Sequence, residues 1–255
     1  MSLFHQRTAT LASRGNTAAI GADECLWWFD GKELNSIMYV SFGNLTHAQP
    51  KQVMELGLGL EASGHAFIWV VKNAEQYDEE VAKFLHELMA RVVGRGLLIR
   101  GWAPQVLILS HVATSSFVTH CGWNLTMEAV MVGLPVVTWP HFSDQFLNTK
   151  LVVEVLEIGV DVGVTEPLMY PLKEKDIVVA RDVVEKAVRD VMHEGNKGEE
   201  RWRRARALAA KARTAVEKGG SSHANVLDLI TCFKADTGRR PSGRTRASRS
   251  TPSAA

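Results

Sequence analysis

The stretch from Trp102 to Gln145 reads WAPQVLILSHVATSSFVTHCGWNLTMEAVMVGLPVVTWPHFSDQ. Two short runs within it, at 117–120 and 135–139, are rich in β-branched, aromatic or other apolar residues, as strands are. Each run is followed by a segment with helical spacing, expected at about 124–132 and 144–155. Strands that alternate with helices form βαβ units, so this stretch predicts parallel strands joined by helices.

The same alternation extends outward from this stretch. Further strands are predicted at 36–42, 67–71 and 97–100. Thr46 and Gln49 form a capping box, which predicts a helix from there to about Glu61. Other helices are expected at 81–92, 181–192, 198–218 and 222–233. The predicted fold class is therefore α/β, with a doubly wound parallel sheet.

Composition and the missing motifs exclude several classes of protein. The chain has 255 residues, 46% of them apolar, and a net charge of +1, which favours one main globular domain with no nucleic-acid partner and no membrane partner. No apolar run reaches the roughly 18 residues that span a bilayer. The separated cysteines Cys25, Cys121 and Cys232 predict neither a zinc site nor disulfides, which favours a cytoplasmic location. Dinucleotide, P-loop, zinc-protease and hydrolase motifs do not occur in the sequence.

The turn after the 117–120 strand has the features of an anion site. His120 ends the strand, Gly122 is expected to permit a sharp turn, and a helix opens near Asn124. Free N–H groups and the positive end of the helix dipole then face one point, where a diphosphate fits. His120 and Asn124 can add side-chain donors. Glu128 lies one helical turn after Asn124, where its carboxylate can accept from both ribose hydroxyls.

The whole 44-residue stretch resembles the plant secondary product glycosyltransferase box. It shares the anchors WAPQ, THCGWN, a Glu four residues after the Asn, GLPVVTWP and DQ. Outside the box the segments YVSFGN, GLEASG, FIWVV, RGLLIRGW, QFLN and KGGSSHAN match the same pattern. The chain therefore resembles the C-terminal, nucleotide-sugar-binding half of a plant UDP-dependent glycosyltransferase of family 1 over nearly all of residues 23–233.

The resemblance implies a fold and a ligand. It implies the Rossmann-like C-terminal domain of a GT-B glycosyltransferase, with residues 1–22 as an interdomain linker and 234–255 as a disordered basic tail. UDP-glucose or a related UDP-hexose is the implied co-substrate, and a small plant metabolite with a hydroxyl group is the implied acceptor. Trp102 and the backbone around Ala103 and Gln105 are expected to hold uracil, and Asp144 with Gln145 the hexose. The predicted donor-binding residues are Asn44, Trp102, Ala103, Gln105, His120, Gly122, Trp123, Asn124, Leu125, Glu128, Asp144 and Gln145.

Each of these residues also has a simpler interpretation when taken singly. A lone histidine at a strand end is usually structural, Trp102 and Trp123 could be core aromatics, and Glu128 could be a solvated helix residue. The spacing of their neighbours favours the binding role.

The resemblance also implies what this chain lacks. In the family a His oriented by an Asp, both in the N-terminal domain, acts as general base. His5 matches no catalytic motif, so no catalytic residue is assigned, and little activity is expected from this chain alone. No metal and no cofactor are implied.

Four positions depart from the family pattern. Leu125 replaces a usual Ser and removes a hydroxyl beside the phosphates, and Asn44 stands where a Ser is usual. Ser115 and Ser116 replace a common Gly pair.

Two alternatives stay open. The chain could be a non-catalytic remnant that binds UDP weakly or not at all, which an upstream coding sequence for an N-terminal half would argue against. An unrelated Rossmann-type oxidoreductase is the other alternative, and it lacks a dinucleotide fingerprint.

Overall fold

The computed structural model describes residues 19–43, 49–72, 77–168, 179–192 and 195–237, and it divides the chain into two compact units, before and after the boundary at 210/211. The strands are β1 Ile37–Ser41, β2 Ala66–Val71, β3 Gly96–Arg100, β4 Thr114–Thr119, β5 Val136–Thr138 and β6 Gly159–Asp161. The helices are α1 Ala22–Phe29, α2 Pro50–Ser63, α3 Glu79–Arg91, α4 Gln105–Leu109, α5 Trp123–Val132, α6 Gln145–Lys150, α7 Arg181–Met192, α8 Asn196–Val216 and α9 Ser221–Thr237. A π-helical turn, Leu151–Val155, directly follows α6.

The strands form one parallel sheet in the order β3-β2-β1-β4-β5-β6. Chain order runs outward in both directions from the β1/β4 pair, so the predicted doubly wound α/β fold is confirmed. Every residue of β1 and β4 is buried, as expected when helices cover both faces of a parallel sheet. Ligands of such sheets bind beyond the carboxyl ends of the strands where the order reverses, which here is the edge that follows Ser41 and Thr119.

One face of the sheet packs against α2, α3 and α7. The buried side chains of this core include Phe67 and Trp69 from β2, Leu85 and Leu88 from α3, and Val184 from α7. Helix α2 comes very close to α7 because Gly59 has no side chain. A Cβ at Gly59 would lie 2.5 Å from the Cβ of Val184 and 2.8 Å from the backbone oxygen of Arg181.

The predicted start of α2 at a Thr46 capping box is wrong. The helix begins at Pro50, and Gln49 at its N-cap makes no side-chain capping bond. Proline fits the first turn of a helix but not its interior, and it forces the preceding residue to be extended. Gln49 is extended, with φ −64° and ψ 151°, whereas Thr46 lies outside the described residues.

Strand β4 begins at Thr114, three residues before its predicted start, because its serines are satisfied inside the core. The Ser115 hydroxyl donates to the backbone oxygen of Ile37 at 2.9 Å, and both Ser115 and Ser116 contact the sulfur of Met192. A serine with such partners can be buried in a strand. Helices α1 and α4 and strand β6 were not predicted from the sequence.

The ends of the chain are described only in part. Residues 1–18 and 238–255, which hold most of the predicted linker and tail, lie outside the described residues, and α9 extends to Thr237. In the second unit, Val226, Leu229, Ile230 and Phe233 of α9 are exposed. Within the part of the chain that the structure describes, no helix has both the length and the apolar character needed to cross a bilayer.

We expect Gly59→Ala to lower the free energy of unfolding by about 1 to 3 kcal/mol, the range for overpacked cores. Gly57→Ala is the matched control in the same helix, since its Cβ would meet only side-chain atoms, the nearest being Leu88 Cδ2 at 2.8 Å. Both changes gain the same helix propensity, so the difference between the two variants in the free energy of unfolding isolates the contact with α7. Urea denaturation of both variants measures it, and equal stabilities would contradict this account of the α2/α7 packing.

Candidate functional site

The His120 side chain lies in a narrow slot at the carboxyl edge of the sheet. The residue directly follows β4, as predicted. A Cβ at Gly43 would lie 2.7 Å from the Cε1 atom of His120, and a Cβ at Gly122 would lie 2.6 Å from its Nε2 atom. Glycine is therefore needed on both sides of the ring, because any side chain at either position would displace the imidazole.

The sharp turn after His120 is made by Cys121, so the prediction that the freedom of Gly122 permits it is wrong. Cys121 has a left-handed φ of 60°, whereas Gly122 is extended, with φ −57° and ψ 143°. Gly122 is required for space beside the imidazole and not for its conformational freedom. Cys121 is fully buried, and burial raises the pKa of its thiol to about 12, so the thiol is not reactive near neutral pH.

Helix α5 starts at Trp123, with Gly122 as N-cap and no side-chain capping bond. The first N–H that bonds back to Gly122 is that of Thr126, at 3.0 Å. The N–H groups of Trp123, Asn124 and Leu125 therefore precede the helical bonding pattern. The Thr126 hydroxyl donates to Gly122 O at 3.2 Å, so it points back into the turn and cannot replace the hydroxyl that Leu125 lacks.

A hydrogen-bonded chain links β1, α4 and α5. Gln105 Nε2 donates to Glu128 Oε2 at 2.6 Å, and the Tyr39 hydroxyl donates to Gln105 Oε1 at 3.4 Å. Burial raises the pKa of Tyr39, so its hydroxyl stays protonated and can donate. The sequence placed Gln105 and Glu128 in one site, and the structure joins their side chains directly.

Trp102 and Ala103 lie on the loop between β3 and α4. Ala103 is buried and the Trp102 ring is half-buried. The Ala19 N–H donates to the Trp102 carbonyl at 2.7 Å, which anchors this loop. Lys72, which the sequence analysis did not single out, places its Nζ atom 4.5 Å from the centroid of the Trp102 ring.

Asn148 connects the two loops that carry the remaining predicted residues. Its Nδ2 donates to the carbonyl oxygen of Cys121 at 2.9 Å and to Asp144 Oδ2 at 2.8 Å. Sequence reasoning missed this role, although the spacing of four residues from Asp144 to Asn148 on a predicted helix was a usable signal. The buried Asn148 amide therefore holds the exposed Asp144 carboxylate near the turn before α5.

Gln145 has a partly structural role. Its Oε1 accepts from the N–H groups of His141 at 2.8 Å and Phe142 at 3.1 Å. Only its Nε2 can therefore serve a ligand as a donor.

The predicted residues that the structure describes thus lie around one edge of the sheet. Gly122 lies beside His120, Gln105 bonds Glu128, and Asn148 ties Asp144 to the turn. Trp123 and Asn124 are exposed at the start of α5, and Leu125 is half-buried. Asn44 lies outside the described residues. Within the described ranges, no three His, Cys, Asp or Glu side chains form a group that could hold a metal ion.

Two neighbouring histidines at this edge are kept neutral by burial. The rings of His120 and His141 have centroids 6.5 Å apart. Burial lowers the pKa of His120 to about 4 and that of His141 to about 3. Asp144 opposes the shift of His120, while the charge of Lys72 adds to it. Within the described residues, the buried Nδ1 atoms of both rings have no hydrogen-bond partner.

Comparison with known proteins identifies relatives of the chain. Residues 27–170 match the profile of the family described as UDP-glucoronosyl and UDP-glucosyl transferase. The chain is 47% identical over 232 residues to UDP-glycosyltransferase 73C3 of Arabidopsis thaliana, covering 90% of this chain and 47% of the relative. It is 46% identical over 232 residues to UDP-glycosyltransferase 73C13 of Barbarea vulgaris, with the same coverage of 90% and 47%. The chain therefore spans about half the length of the curated relatives it matches.

Solved structures share the fold at similar coverage. The crystal structure of Glycyrrhiza uralensis UGT73P12, complexed with glycyrrhetinic acid 3-O-monoglucuronide, superposes with a TM-score of 0.83 at 41% identity over 91% of this chain and 46% of that one. Medicago truncatula UGT71G1 complexed with UDP-glucose gives a TM-score of 0.74 at 32% identity, over 87% and 46% of the two chains.

We expect acid to destabilise the fold, because burial lowers the pKa of His120 and His141 in the folded state. Above the unfolded pKa of 6.5 both states are neutral, and below it only the unfolded state takes up protons until the folded pKa values are reached. The free energy of unfolding should therefore fall as pH drops from 6.5 to 4, by up to about 1.4 kcal/mol per pH unit for each histidine.

Urea denaturation of wild type and His141→Leu across this pH range tests the expectation. The substitution should remove one histidine's contribution to the slope of the free energy of unfolding against pH. His86→Gln, a change at an exposed histidine, is the control. Slopes that are the same for wild type and His141→Leu would show that His141 is not held neutral.

Proposed function

The chain belongs to the UDP-glucoronosyl and UDP-glucosyl transferase family, and from this premise we propose that it is the donor-binding half of a UDP-glycosyltransferase. The parent reaction moves a hexose, glucose by preference, from UDP to a hydroxyl group of a small plant metabolite. The observation that carries the proposal is that α5, which starts just after His120 at the sheet edge where the strand order reverses, also carries Glu128 bonded to Gln105.

The diphosphate is proposed to bind at the start of α5. The N–H groups of residues 123–125 and the positive end of the helix dipole favour an anion there. His120 is neutral because burial lowers its pKa to about 4, so it offers one ring N–H as a donor. Asn124 is exposed beside it and can donate through its amide.

The ribose and the base are proposed to bind on the α4 side of the turn. Glu128 has one carboxylate oxygen engaged by Gln105 at 2.6 Å, which orients the carboxylate and leaves its other oxygen for ribose hydroxyls. The half-buried Trp102 offers a flat surface on which uracil can stack. The buried Ala103 is proposed to contribute its backbone to the same base pocket.

The hexose is proposed to meet Asp144 and Gln145. Asn148 holds Asp144 in place, and the Gln145 Nε2 remains free of the two backbone contacts that engage its Oε1. A similar protein, Medicago truncatula UGT71G1, was crystallised with UDP-glucose, which supports glucose as the sugar.

The acceptor chemistry is proposed to depend on residues outside this chain. No described residue matches the family's catalytic base, and general-base assistance is worth roughly 10²- to 10⁴-fold in rate. We therefore propose that the chain alone transfers sugar poorly. Neither a metal nor a cofactor is proposed, because N–H donors and the helix dipole can offset the diphosphate charge.

The second candidate function is a remnant that binds UDP weakly without catalysis. Leu125 favours it, because a leucine cannot donate a hydrogen bond to the phosphates.

The donor-site proposal predicts that the full chain binds UDP more tightly than ADP, because a base pocket shaped for uracil does not fit the larger purine of ADP. Calorimetric titration of UDP, ADP and uridine measures this. Equal affinity for UDP and ADP would remove the basis for a uridine site, and no binding of UDP would favour the remnant.

Leu125→Ser should tighten UDP binding by roughly 10- to 100-fold, since a hydrogen bond to a charged group contributes about 1.5 to 3 kcal/mol. Uridine, which has no phosphate, should scarcely respond. Leu125→Ala is the matched control, because it removes the apolar bulk without adding a hydroxyl. Equal tightening by Ser and Ala, or equal effects on UDP and uridine, would mean that the residue 125 side chain does not face the phosphates.

A further inference from the structure

Lys72 directly follows β2 at the same carboxyl edge of the sheet as the candidate site. Its Nζ atom lies 4.5 Å from the centroid of the Trp102 ring. At this distance a lysine ammonium is attracted to the face of an indole. Lys72 is therefore held next to the ring on which uracil is proposed to stack.

The charge of Lys72 has no carboxylate partner among the described residues, since none of their ion pairs includes it. The side chain is half-buried, and burial lowers its pKa. A partly buried cation without a counter-charge is unfavourable for the fold, because removal from water disfavours the charged form. An apolar side chain could fill the same place without that cost.

Lys72 also acts on the proposed phosphate side of the site. The pKa of His120 is lowered mainly by burial, and the positive charge of Lys72 lowers it further, while Asp144 opposes both. Lys72 and His120 directly follow β2 and β4, the two strands that flank β1, so both lie at the same edge of the sheet, and Lys72 also contacts Trp102. An anion bound between His120 and Trp102 would therefore lie near the Lys72 ammonium.

We propose that Lys72 is a further donor-site residue, whose ammonium binds a phosphate oxygen of the nucleotide while Trp102 holds the base. This inference rests on the proposed function. Ammonium-to-phosphate hydrogen bonds are charge-assisted and need no fixed fork geometry, so a flexible lysine suits the task. The contact also supplies a phosphate-binding donor in a site where Leu125 removes one.

The test compares Lys72→Met, Lys72→Arg and wild type in the full chain, with UDP and uridine as probes. Lys72→Met keeps the apolar stem and removes the charge, and it should weaken UDP binding by roughly 3- to 10-fold in about 20 mM salt. Uridine affinity should change by less than about 2-fold, since uridine carries no phosphate charge. Lys72→Arg should retain most of the UDP affinity. In about 500 mM salt the difference in UDP affinity between Lys72→Met and wild type should shrink in part, because salt screens a half-buried charge less than an exposed one.

The chain offers a matched control in Lys32, whose Nζ atom lies 4.6 Å from the centroid of the Trp28 ring. Lys32→Met removes the same kind of contact outside the candidate site and should leave both affinities unchanged. Thermal unfolding of every variant shows whether it is folded.

The outcomes separate this inference from the proposed function. If Lys72→Met weakens UDP and uridine equally, Lys72 acts only through Trp102 and the inference is overturned. If wild type prefers UDP to ADP and Lys72→Met binds UDP equally well at low salt, the inference falls and the proposed function stands. If wild type shows no preference for UDP over ADP, both fall.

Discussion

The imidazole of His120 lies between the backbones of Gly43 and Gly122, and the geometry of the rest of the site depends on that slot. A Cβ on either glycine would lie within 2.7 Å of a ring atom. The chain must also reverse immediately after β4, which Cys121 does at a φ of 60°. A left-handed non-glycine residue costs about 1 to 3 kcal/mol and persists only where its surroundings hold it. The position of the ring and the direction of α5 are therefore set together.

Polar side chains hold the surrounding loops in place around this slot. Asn148 bonds both the Cys121 carbonyl and the Asp144 carboxylate, and Gln105 bonds the Glu128 carboxylate. Buried or half-buried hydrogen bonds of this kind fix direction as well as distance, which apolar contacts do not. The carboxylates are thereby oriented before any ligand arrives, so binding needs little rearrangement of the loops.

Burial gives this edge of the sheet its electrostatic character. It lowers the pKa of His120 and His141 and raises that of Tyr39 and Cys121, so these groups are uncharged near neutral pH. In the proposed donor site, oriented N–H groups and Lys72 supply the attraction for an anion. The proposed diphosphate would then meet His120 as a neutral ring, which can still donate one hydrogen bond.

Local patterns in the sequence by themselves determined the alternation of strands and helices, and they placed His120 at a strand end and Glu128 on the helix that follows. The start of α2 could also have been read from Pro50. Only the tertiary structure decided that Cys121 and not Gly122 makes the turn, because that choice depends on the room beside the His120 ring. It also decided the Gln105–Glu128 bond and the place of Lys72 over Trp102. These contacts join segments that are distant in the chain and meet only because parallel strands end at the same edge of the sheet.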